Sequence, residues 1–527
     1  MKKNIILEDV VNKHQLAITD YENYTSEIIK VLDYQKQAHQ GKLVIVTSMS
    51  PTPVGEGKTT TSIGLIDGLN KIGVKTIGCL REPSLGPVFG MKGTGSGSNK
   101  AILLPFDKIN LHFTGDLHAI TSANNLISAI IENEIYQNSN LNIDPNKILW
   151  KRCLDMNDRG LRDVTIPTFD EQNEMIKTAF NITAASDLMA LFCLVKDREE
   201  FENKINNAIV AYSRDNKPIR IKDLEISTAL MTILYDAFYP NLVRTLENNP
   251  VLVHGGPFAN IAHGCSSLIS IHTALNLGEV VVTECGFGSD LGLEKFMNIT
   301  CQEGQLNPNL IVLVISLKSI IYNGSTQEEA TNKEKIFNGF QNVLHHVNHC
   351  KKYGVNLLVA INHRNEDLPE DIVYLKSLLD EQNITYAFND CWSKGSSGAL
   401  ELATKANELL QQPSYYHPLY NRDLSIEDKI NKIATEVYGA TGVKYSDLAL
   451  TKLSNYKDFS DYYVCISKNP YSLTDNPKIL GKPTNFTIHV ENIEINHAAK
   501  LIIPITSVVF RMPGLPKKPA AKNFILK

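Results

Sequence analysis

Short apolar runs alternate with longer amphipathic stretches along most of the chain. The runs are rich in Val, Ile and Leu at consecutive positions, which is typical of strands that are covered on both faces of a sheet. Seven runs have this character: 42–47, 74–80, 251–253, 280–283, 310–315, 357–361 and 385–388. The alternation predicts an α/β fold with a mostly parallel sheet and helices on both faces.

The helical stretches have apolar residues three or four positions apart, as in 60–72 and in 328–353. The segment 60–72 lies between the runs 42–47 and 74–80, so we predict a right-handed βαβ unit whose two strands form a parallel pair. Residues 5–40 carry apolar positions at a loosely helical spacing.

The chain has 527 residues, more than one hydrophobic core usually serves, so two or three domains are expected. We predict a nucleotide-binding α/β domain over 1–350, a second α/β domain over 351–415 and a small C-terminal domain over 416–527. Within the first domain, residues 160–245 are predicted to form a mostly helical insertion.

Composition excludes several classes of function. The net charge of −5 offers no general attraction for nucleic acid or for an anionic membrane. No apolar run approaches the roughly 20 residues of a membrane span, and the start of the chain lacks the apolar core of a secretion signal. The nine cysteines are scattered, as expected of free thiols in a reducing compartment. These features predict a cytoplasmic protein that acts on small molecules, without a nucleic-acid or membrane partner.

The segment TPVGEGKTT lies between a predicted strand and a predicted helix, where a phosphate-binding loop of the P-loop NTPase kind belongs. Glycines let backbone amides converge on phosphate oxygens, and the lysine neutralises the outer phosphates. The candidate ATP-binding residues are Thr52, Pro53, Val54, Gly55, Glu56, Gly57, Lys58 and Thr59. Thr59 is also placed to bind magnesium. Because a strict pattern has glycine where Thr52 stands, an ordinary strand-to-helix turn is the alternative.

Longer motifs follow the loop in order along the chain. They include REPSLGPVFGMKG (81–93), INLHFTGDLHAIT (109–121), HGGPFANIAHGC (254–265), TECGFGSDLGLEKF (283–296), WSKG (392–395) and MPGLPKKPAA (512–521). Over nearly its whole length the sequence resembles the formate–tetrahydrofolate ligase family. The resemblance implies that ATP phosphorylates formate, and that a nitrogen of tetrahydrofolate takes the formyl group from formyl phosphate. It also implies magnesium, a monovalent cation such as potassium or ammonium, and a homotetramer.

The resemblance assigns the catalytic roles to Lys58 and Arg81, which would stabilise charge on the phosphoryl group and on formyl phosphate. It also implies that Phe287 and Trp392 form an aromatic slot for the folate. From the residues alone, the alternative for Arg81 is a structural ion pair with Glu82. The two aromatic residues would more often be core residues.

The resemblance places the monovalent cation at Glu82 and Asp116. The alternative for both residues is a helix cap or a buried structural partner. His254 and His263 are weaker candidates for a general base, because the glycines around them predict a tight loop with a structural role.

Three segments depart from the family pattern: 94–105, 363–365 and 496–511. In the second, Arg364 stands where the family usually has an aromatic residue. These departures leave open a degenerate relative that binds ATP or folate without turnover. A phosphate-loop ATPase that acts on another small acid or amine is a third hypothesis, against which the retained Phe287 and Trp392 count.

Overall fold

The computed structural model describes residues 7–37, 41–53, 55–170, 172–259, 261–325, 330–506 and 509–524. Its centre is a twelve-stranded sheet. In chain order the strands are β1 (Ile18–Thr25), β2 (Ile28–Tyr34), β3 (Lys42–Ser48), β4 (Thr76–Leu80), β5 (Gly97–Ser98), β6 (Ala101–Leu104), β7 (Asn241–Thr245), β8 (Pro250–Val253), β9 (Val280–Glu284), β10 (Pro308–Ile315), β11 (Asn356–Asn362) and β12 (Tyr386–Asn389).

Across the sheet the strands lie in the order β1-β2-β7-β8-β4-β9-β3-β10-β11-β12, while β6 pairs with β7 and β5 pairs with β6. Neighbouring strands from β8 to β12 in this order are parallel. The strands β1, β2 and β7 pair in an antiparallel manner. The predicted α/β class with a mostly parallel sheet is therefore confirmed.

The predicted direct pairing of the first two parallel strands is wrong. β3 and β4 are parallel, but β9 lies between them and pairs with both. All five residues of β9 are buried, because the strand has neighbours on both edges and helices on both faces. As a consequence Glu284, the last residue of β9, reaches the carboxyl edge of the sheet beside the end of β3.

Helices cover both faces of the sheet, as predicted. The helices that bear on the site are α1 (Lys58–Lys71), α2 (Asp116–Tyr136), α3 (Leu268–Leu277), α4 (Leu317–Gly324), α5 (Asn332–Lys351), α6 (Pro369–Glu381) and α7 (Leu400–Leu410). In β3, Val44 and Val46 belong to the core formed with α1 and α7. Leu43 and Ile45 belong to the core formed with α3 and α5. This alternation explains why the strand is apolar at four consecutive positions, 43–46.

The segment 160–245 is not mostly helical, so that prediction is wrong. It contains the α-helices Asp187–Cys193, Arg198–Asn207 and Ser227–Ile233, and the strands Val164–Pro167, Met175–Thr178, Asn181–Ile182, Ile209–Ser213 and Pro218–Arg220, before it ends in β7. The helices have only seven to ten residues each.

Residues 5–40 also differ from their helical pattern. After the helix Leu7–Lys13 they form the hairpin of β1 and β2, and β1 is so exposed that it needs no apolar face.

The central sheet continues through β11 and β12, so no break in the sheet occurs near residue 350. After residue 416 the chain forms the helices Ile426–Ile433 and Asp447–Asn455 and two small sheets. A fully buried ion pair between Lys468 and Asp290, 3.1 Å long, joins this part to the segment that follows β9.

In the described residues, no helix is both long enough and apolar enough to span a membrane.

Helices α4 and α5 approach each other through two glycines. A Cβ atom on Gly324 would lie 1.8 Å from the carbonyl oxygen of Lys335, and one on Gly339 would lie 1.8 Å from that of Ile320. Such distances are far below van der Waals contact, so only glycine allows this helix crossing.

We expect Gly339→Ala to push α4 and α5 apart. Overpacking of this kind lowers the free energy of unfolding by about 1–3 kcal/mol or more, which urea unfolding monitored by circular dichroism will measure. Asn338→Ala, an exposed position on the same helix, is the control and should stay within about 0.5 kcal/mol of the parent. Equal stability of the two variants would contradict the assigned helix contact.

Candidate active site

The predicted phosphate-binding loop lies between the strand β3 and the helix α1. Gly55 and Gly57 have φ angles of 83° and 75°, in the left-handed region that glycine adopts without strain. A Cβ atom on Gly57 would also lie only 2.6 Å from the side chain of Asn362. Gly57 is the N-cap residue of α1 and, having no side chain, does not cap the first turn. The first backbone N–H groups of α1 therefore remain available to an anion.

Not every residue of the predicted loop faces this anion site. Glu56 is buried, and its carboxylate accepts hydrogen bonds from the backbone N–H of Thr52 (2.7 Å) and from Ser316 Oγ (2.8 Å). Its side chain therefore fixes the loop from the protein side. Pro53 is exposed. Val54 lies outside the described residues.

Asn362, the last residue of β11, and Arg364, two residues later, hold the loop backbone. Asn362 Nδ2 donates to the carbonyl oxygen of Glu56 at 3.0 Å, and Arg364 Nη2 donates to that of Gly55 at 2.8 Å. Arg364 belongs to one of the three segments that depart from the family pattern. In this chain it supports the phosphate loop and adds a positive charge beside it.

Glu284 brings three of the predicted residues together. Its Oε2 accepts a hydrogen bond from Thr59 Oγ1 at 2.8 Å, and its Oε1 lies 3.7 Å from Arg81 Nη2. Lys58 is close enough for the Glu284 charge to oppose the lowering of the Lys58 pKa by burial. Sequence reasoning did not single out Glu284. The available signal was an acidic residue at the end of a buried strand and just before the glycine loop that carries Phe287.

Positive charge is concentrated around this carboxylate. Arg81 also donates from Nη1 to the carbonyl oxygen of Pro257 at 3.1 Å, and its buried Nε has no hydrogen-bond partner in the described part of the chain. Lys92 ends the helical turn Val88–Lys92 and keeps solvent-exposed surface. The surrounding cleft partly desolvates the Lys92 ammonium and, together with the charges of Arg81 and Lys58, lowers the pKa of Lys92 to about 8, although the side chain keeps contact with solvent. A ligand with several negative charges would offset this mutual repulsion. Lys92 was also not predicted from the sequence, although it lies in the motif REPSLGPVFGMKG (81–93).

The two residues predicted for a monovalent cation lie in different settings. Both carboxylate oxygens of Asp116 are already bound, Oδ1 to Lys30 Nζ (2.9 Å) and Oδ2 to Asn241 Nδ2 (2.6 Å). Asp116 is thus a buried structural partner, as the alternative interpretation had it. Glu82 is buried, and its Oε2 has no hydrogen-bond partner among the described residues. Burial, followed by the nearby charge of Asp116, raises the pKa of Glu82 well above its usual value.

The two histidines considered as general bases are fully buried. His254 Nδ1 bonds to Ser267 Oγ and Nε2 to the carbonyl oxygen of Ala237, both at 2.6 Å. Burial lowers the pKa of His254 to about 4 and that of His263 to about 3. Both imidazoles are enclosed by protein, which favours the structural interpretation of this loop.

Phe287 and Trp392 follow the carboxyl ends of β9 and β12, at the sheet edge where α/β proteins bind ligands. Phe287 is half-buried and has a φ angle of 58°, which is rare for a bulky residue. Trp392 is 38% exposed, and its carbonyl oxygen accepts hydrogen bonds from Asn99 Nδ2 (2.9 Å) and from the Lys100 N–H (3.3 Å). Segment 94–105, one of the three predicted to differ from the family pattern, thus forms a hairpin that supports the turn of Trp392.

The third departing segment, 496–511, lies partly in the strands Asn492–Asn496 and Leu501–Ile505. Arg511 forms ion pairs with Glu494 at 2.5 Å and with Asp187 at 3.5 Å. Ser507 and Val508, in the same segment, lie outside the described residues.

Comparison with known proteins gives consistent results. A family model described as formate–tetrahydrofolate ligase matches residues 2–527. A protein named formate–tetrahydrofolate ligase from Ureaplasma parvum serovar 3 is 55% identical over 526 residues, covering 99% of each chain. Proteins of the same name from Malacoplasma penetrans and Staphylococcus aureus (strain NCTC 8325) are 48% and 43% identical. The first alignment covers 92% of both chains, and the second covers 96% of this chain and 92% of the relative.

We expect the affinity for ATP to depend on the charge of Lys92. The pKa of this lysine is depressed to about 8, so its ammonium charge is present below that pH and is lost as the pH rises through it. ATP binding measured by isothermal titration calorimetry should weaken by roughly two- to threefold between pH 7 and pH 9, because solvent screens the charge of this exposed side chain. In Lys92→Arg the charge persists, so this weakening should disappear. Identical pH profiles for the two proteins would show that Lys92 does not act on the nucleotide.

Proposed function

Because this chain belongs to the formate–tetrahydrofolate ligase family, we propose that it joins formate to tetrahydrofolate with the consumption of ATP. The observation that carries the proposal is the position of Lys58, Thr59 and Arg81 around Glu284, directly beside a phosphate-binding loop. The proposed fold is P-loop NTPase-like, with the loop between β3 and α1.

In the first step a formate oxygen attacks the γ-phosphorus of ATP, ADP leaves, and formyl phosphate forms. Catalysis of phosphoryl transfer consists chiefly of positioning and of stabilising charge on the transferring oxygens. Lys58 and the N–H groups of the loop bind these oxygens. The guanidinium of Arg81 is held by Glu284 and by the carbonyl oxygen of Pro257, so its planar fork is oriented for the carboxylate of formate.

A magnesium ion would lie at Thr59 and Glu284. Among the described residues no group of three or more His, Cys, Asp or Glu side chains could hold a metal by itself. Magnesium at a nucleotide commonly takes only one or two protein ligands and completes its shell with phosphate and water. The Thr59 hydroxyl and the Glu284 carboxylate, 2.8 Å apart, fit that arrangement. The ion would neutralise phosphate charge.

A monovalent cation fits Glu82 better than Asp116. The free, buried Oε2 of Glu82 would gain a partner, whereas the oxygens of Asp116 are bound by Lys30 and Asn241. We therefore propose Glu82 as the cation ligand and retain Asp116 only as a neighbouring negative charge.

In the second step a nitrogen of tetrahydrofolate attacks the formyl carbon, phosphate leaves, and the amine loses a proton. Phe287 and Trp392 are the proposed aromatic contacts for the flat pterin. Both are at least partly accessible at the same sheet edge as the phosphate loop, which suits a slot more than a core position. Neither candidate histidine serves as base, because both are buried and structural.

The proposed enzyme is cytoplasmic and homotetrameric, by resemblance to the family, and light scattering after size-exclusion chromatography tests the assembly. The proposed domains remain 1–350, 351–415 and 416–527, and the first two share the central sheet, which continues to β12.

The first test is production of formyltetrahydrofolate from ATP, magnesium, formate and tetrahydrofolate in the presence of potassium. Lys58→Ala should lower kcat/KM by roughly 10³-fold, because it removes a charge on the transferring phosphoryl group. Lys71→Ala, an exposed position at the far end of the same helix, should stay within about twofold. A folded protein that binds ATP or tetrahydrofolate without turnover would support the degenerate relative instead. Turnover with another acid or amine alone would support the third hypothesis.

Glu284→Gln should lower kcat by roughly 10²-fold and raise the magnesium concentration needed for half-maximal rate. The amide keeps the shape of the side chain but loses the charge that opposes Arg81 and Lys58. Glu279→Gln, an exposed residue just before the same strand, is the control. Unchanged kinetics in Glu284→Gln would remove Glu284 from the proposed mechanism.

A further inference from the structure

Beneath the phosphate loop, one buried imidazole touches both halves of the proposed site. His346 lies on α5 and is completely buried. Its Nε2 accepts a hydrogen bond from the backbone N–H of Ser50 at 2.9 Å, and its Nδ1 is 2.7 Å from Ser289 Oγ. Ser50 lies two residues before Thr52 at the start of the phosphate loop. Ser289 lies two residues after Phe287.

We propose that His346 is a positioning residue that holds the phosphate loop and the Phe287 loop in a fixed relation. The inference rests on the proposed function, in which formyl phosphate forms at the first loop and the acceptor amine is held at the second.

The hydrogen bonds define the protonation of this network. The backbone N–H of Ser50 can only donate, so Nε2 of His346 is the unprotonated nitrogen. Nδ1 therefore carries the proton and donates to Ser289 Oγ. Ser289 Oγ also lies 2.9 Å from His349 Nδ1, and His349 Nε2 lies 3.1 Å from the hydroxyl of Tyr353. Burial lowers the pKa of His346 to about 3, so the imidazole is neutral at pH 7 and Nε2 remains the acceptor for Ser50.

Other contacts make both ends of this bridge rigid. Asn342 Nδ2 donates to Ser50 Oγ at 3.2 Å, and Asn323 Nδ2 donates to the carbonyl oxygen of Ser50 at 3.3 Å. On the other side, Ser48 Oγ donates to the carbonyl oxygen of Phe287 at 3.1 Å. Lys58 Nζ in turn donates to Ser48 Oγ at 3.3 Å. The strand end that leads to the phosphate loop is thus tied to the Phe287 loop at two points, through Ser48 and through His346.

Such a tether has a chemical purpose in a two-step reaction. Phe287 has a left-handed backbone that persists only when surrounding contacts hold it. The amine that attacks formyl phosphate must lie within about 3–3.5 Å of the formyl carbon, and a displacement of about 1 Å costs roughly 10²-fold in rate. His346 lies outside this reaction path, because both its nitrogens are bound within the protein. It therefore acts through the two loops.

The two nitrogens allow the two contacts to be removed separately. In His346→Gln the amide oxygen can replace Nε2 as acceptor for Ser50, while the contact with Ser289 is lost. In His346→Asn the shorter amide can replace Nδ1 as donor to Ser289, while the contact with Ser50 is lost. Ser289→Ala removes the same contact as His346→Gln from the other side. Tyr353→Phe is the matched control, since it removes a hydroxyl from the far end of the network without touching either loop.

We expect His346→Gln and Ser289→Ala to raise the KM for tetrahydrofolate and lower kcat, each by roughly tenfold, with the KM for ATP within about threefold. His346→Asn should instead raise the KM for ATP. Tyr353→Phe should leave all of these parameters within about twofold. Dissociation constants for ADP and tetrahydrofolate, measured by calorimetry on the same proteins, should follow the same division, and thermal unfolding gives the stability of each variant.

The proposal is overturned if His346→Gln and Ser289→Ala resemble Tyr353→Phe, or if every parameter falls in parallel with the folded fraction. These outcomes differ from failure of the proposed function, which would appear as absent turnover in the parent protein. In that case the calorimetric division between ADP and tetrahydrofolate still decides whether His346 couples the two loops.

Discussion

The buried carboxylate of Glu284 is the interaction on which the rest of this site depends. It accepts a hydrogen bond from Thr59 and pairs with Arg81, and its charge lies close to Lys58. Without it, cationic groups would face one another in a cleft of low polarity, which is costly. With it, they are held in place, and in the proposed function they stabilise the negative charge of the nucleotide and of formyl phosphate. The insertion of β9 between β3 and β4 is what delivers this residue to the phosphate loop.

The remainder of the sheet edge serves to immobilise the loops around this centre. Residues from the neighbouring strands hold the phosphate loop, with Ser316 bonded to Glu56, Asn362 to the Glu56 carbonyl and Arg364 to the Gly55 carbonyl. These contacts come from residues far apart in sequence. They explain how a loop with two left-handed glycines keeps one conformation although glycine is the most flexible residue.

The segments that depart from the family pattern have structural roles in this chain. Arg364 binds the phosphate loop, the hairpin around Asn99 and Lys100 supports Trp392, and Arg511 pairs with Asp187 and Glu494. Each of these three segments thus has a defined structural contact, and the family match extends through all of them, over residues 2–527.

The sequence by itself determined the α/β class, most strands of the sheet, the helices on both faces and the glycine loop between β3 and α1. These features are local, because a buried strand or a glycine loop is encoded by consecutive residues. Only the tertiary structure decided that β9 separates β3 from β4, that Glu284 joins Thr59 and Arg81, that Asp116 is occupied by Lys30, and that His346 bridges Ser50 and Ser289. Each of these depends on which strands become neighbours and on the packing of helices against them. The order of the strands is decided by the burial of apolar surface and of charge between segments that are far apart in sequence. No single segment of the sequence contains this information.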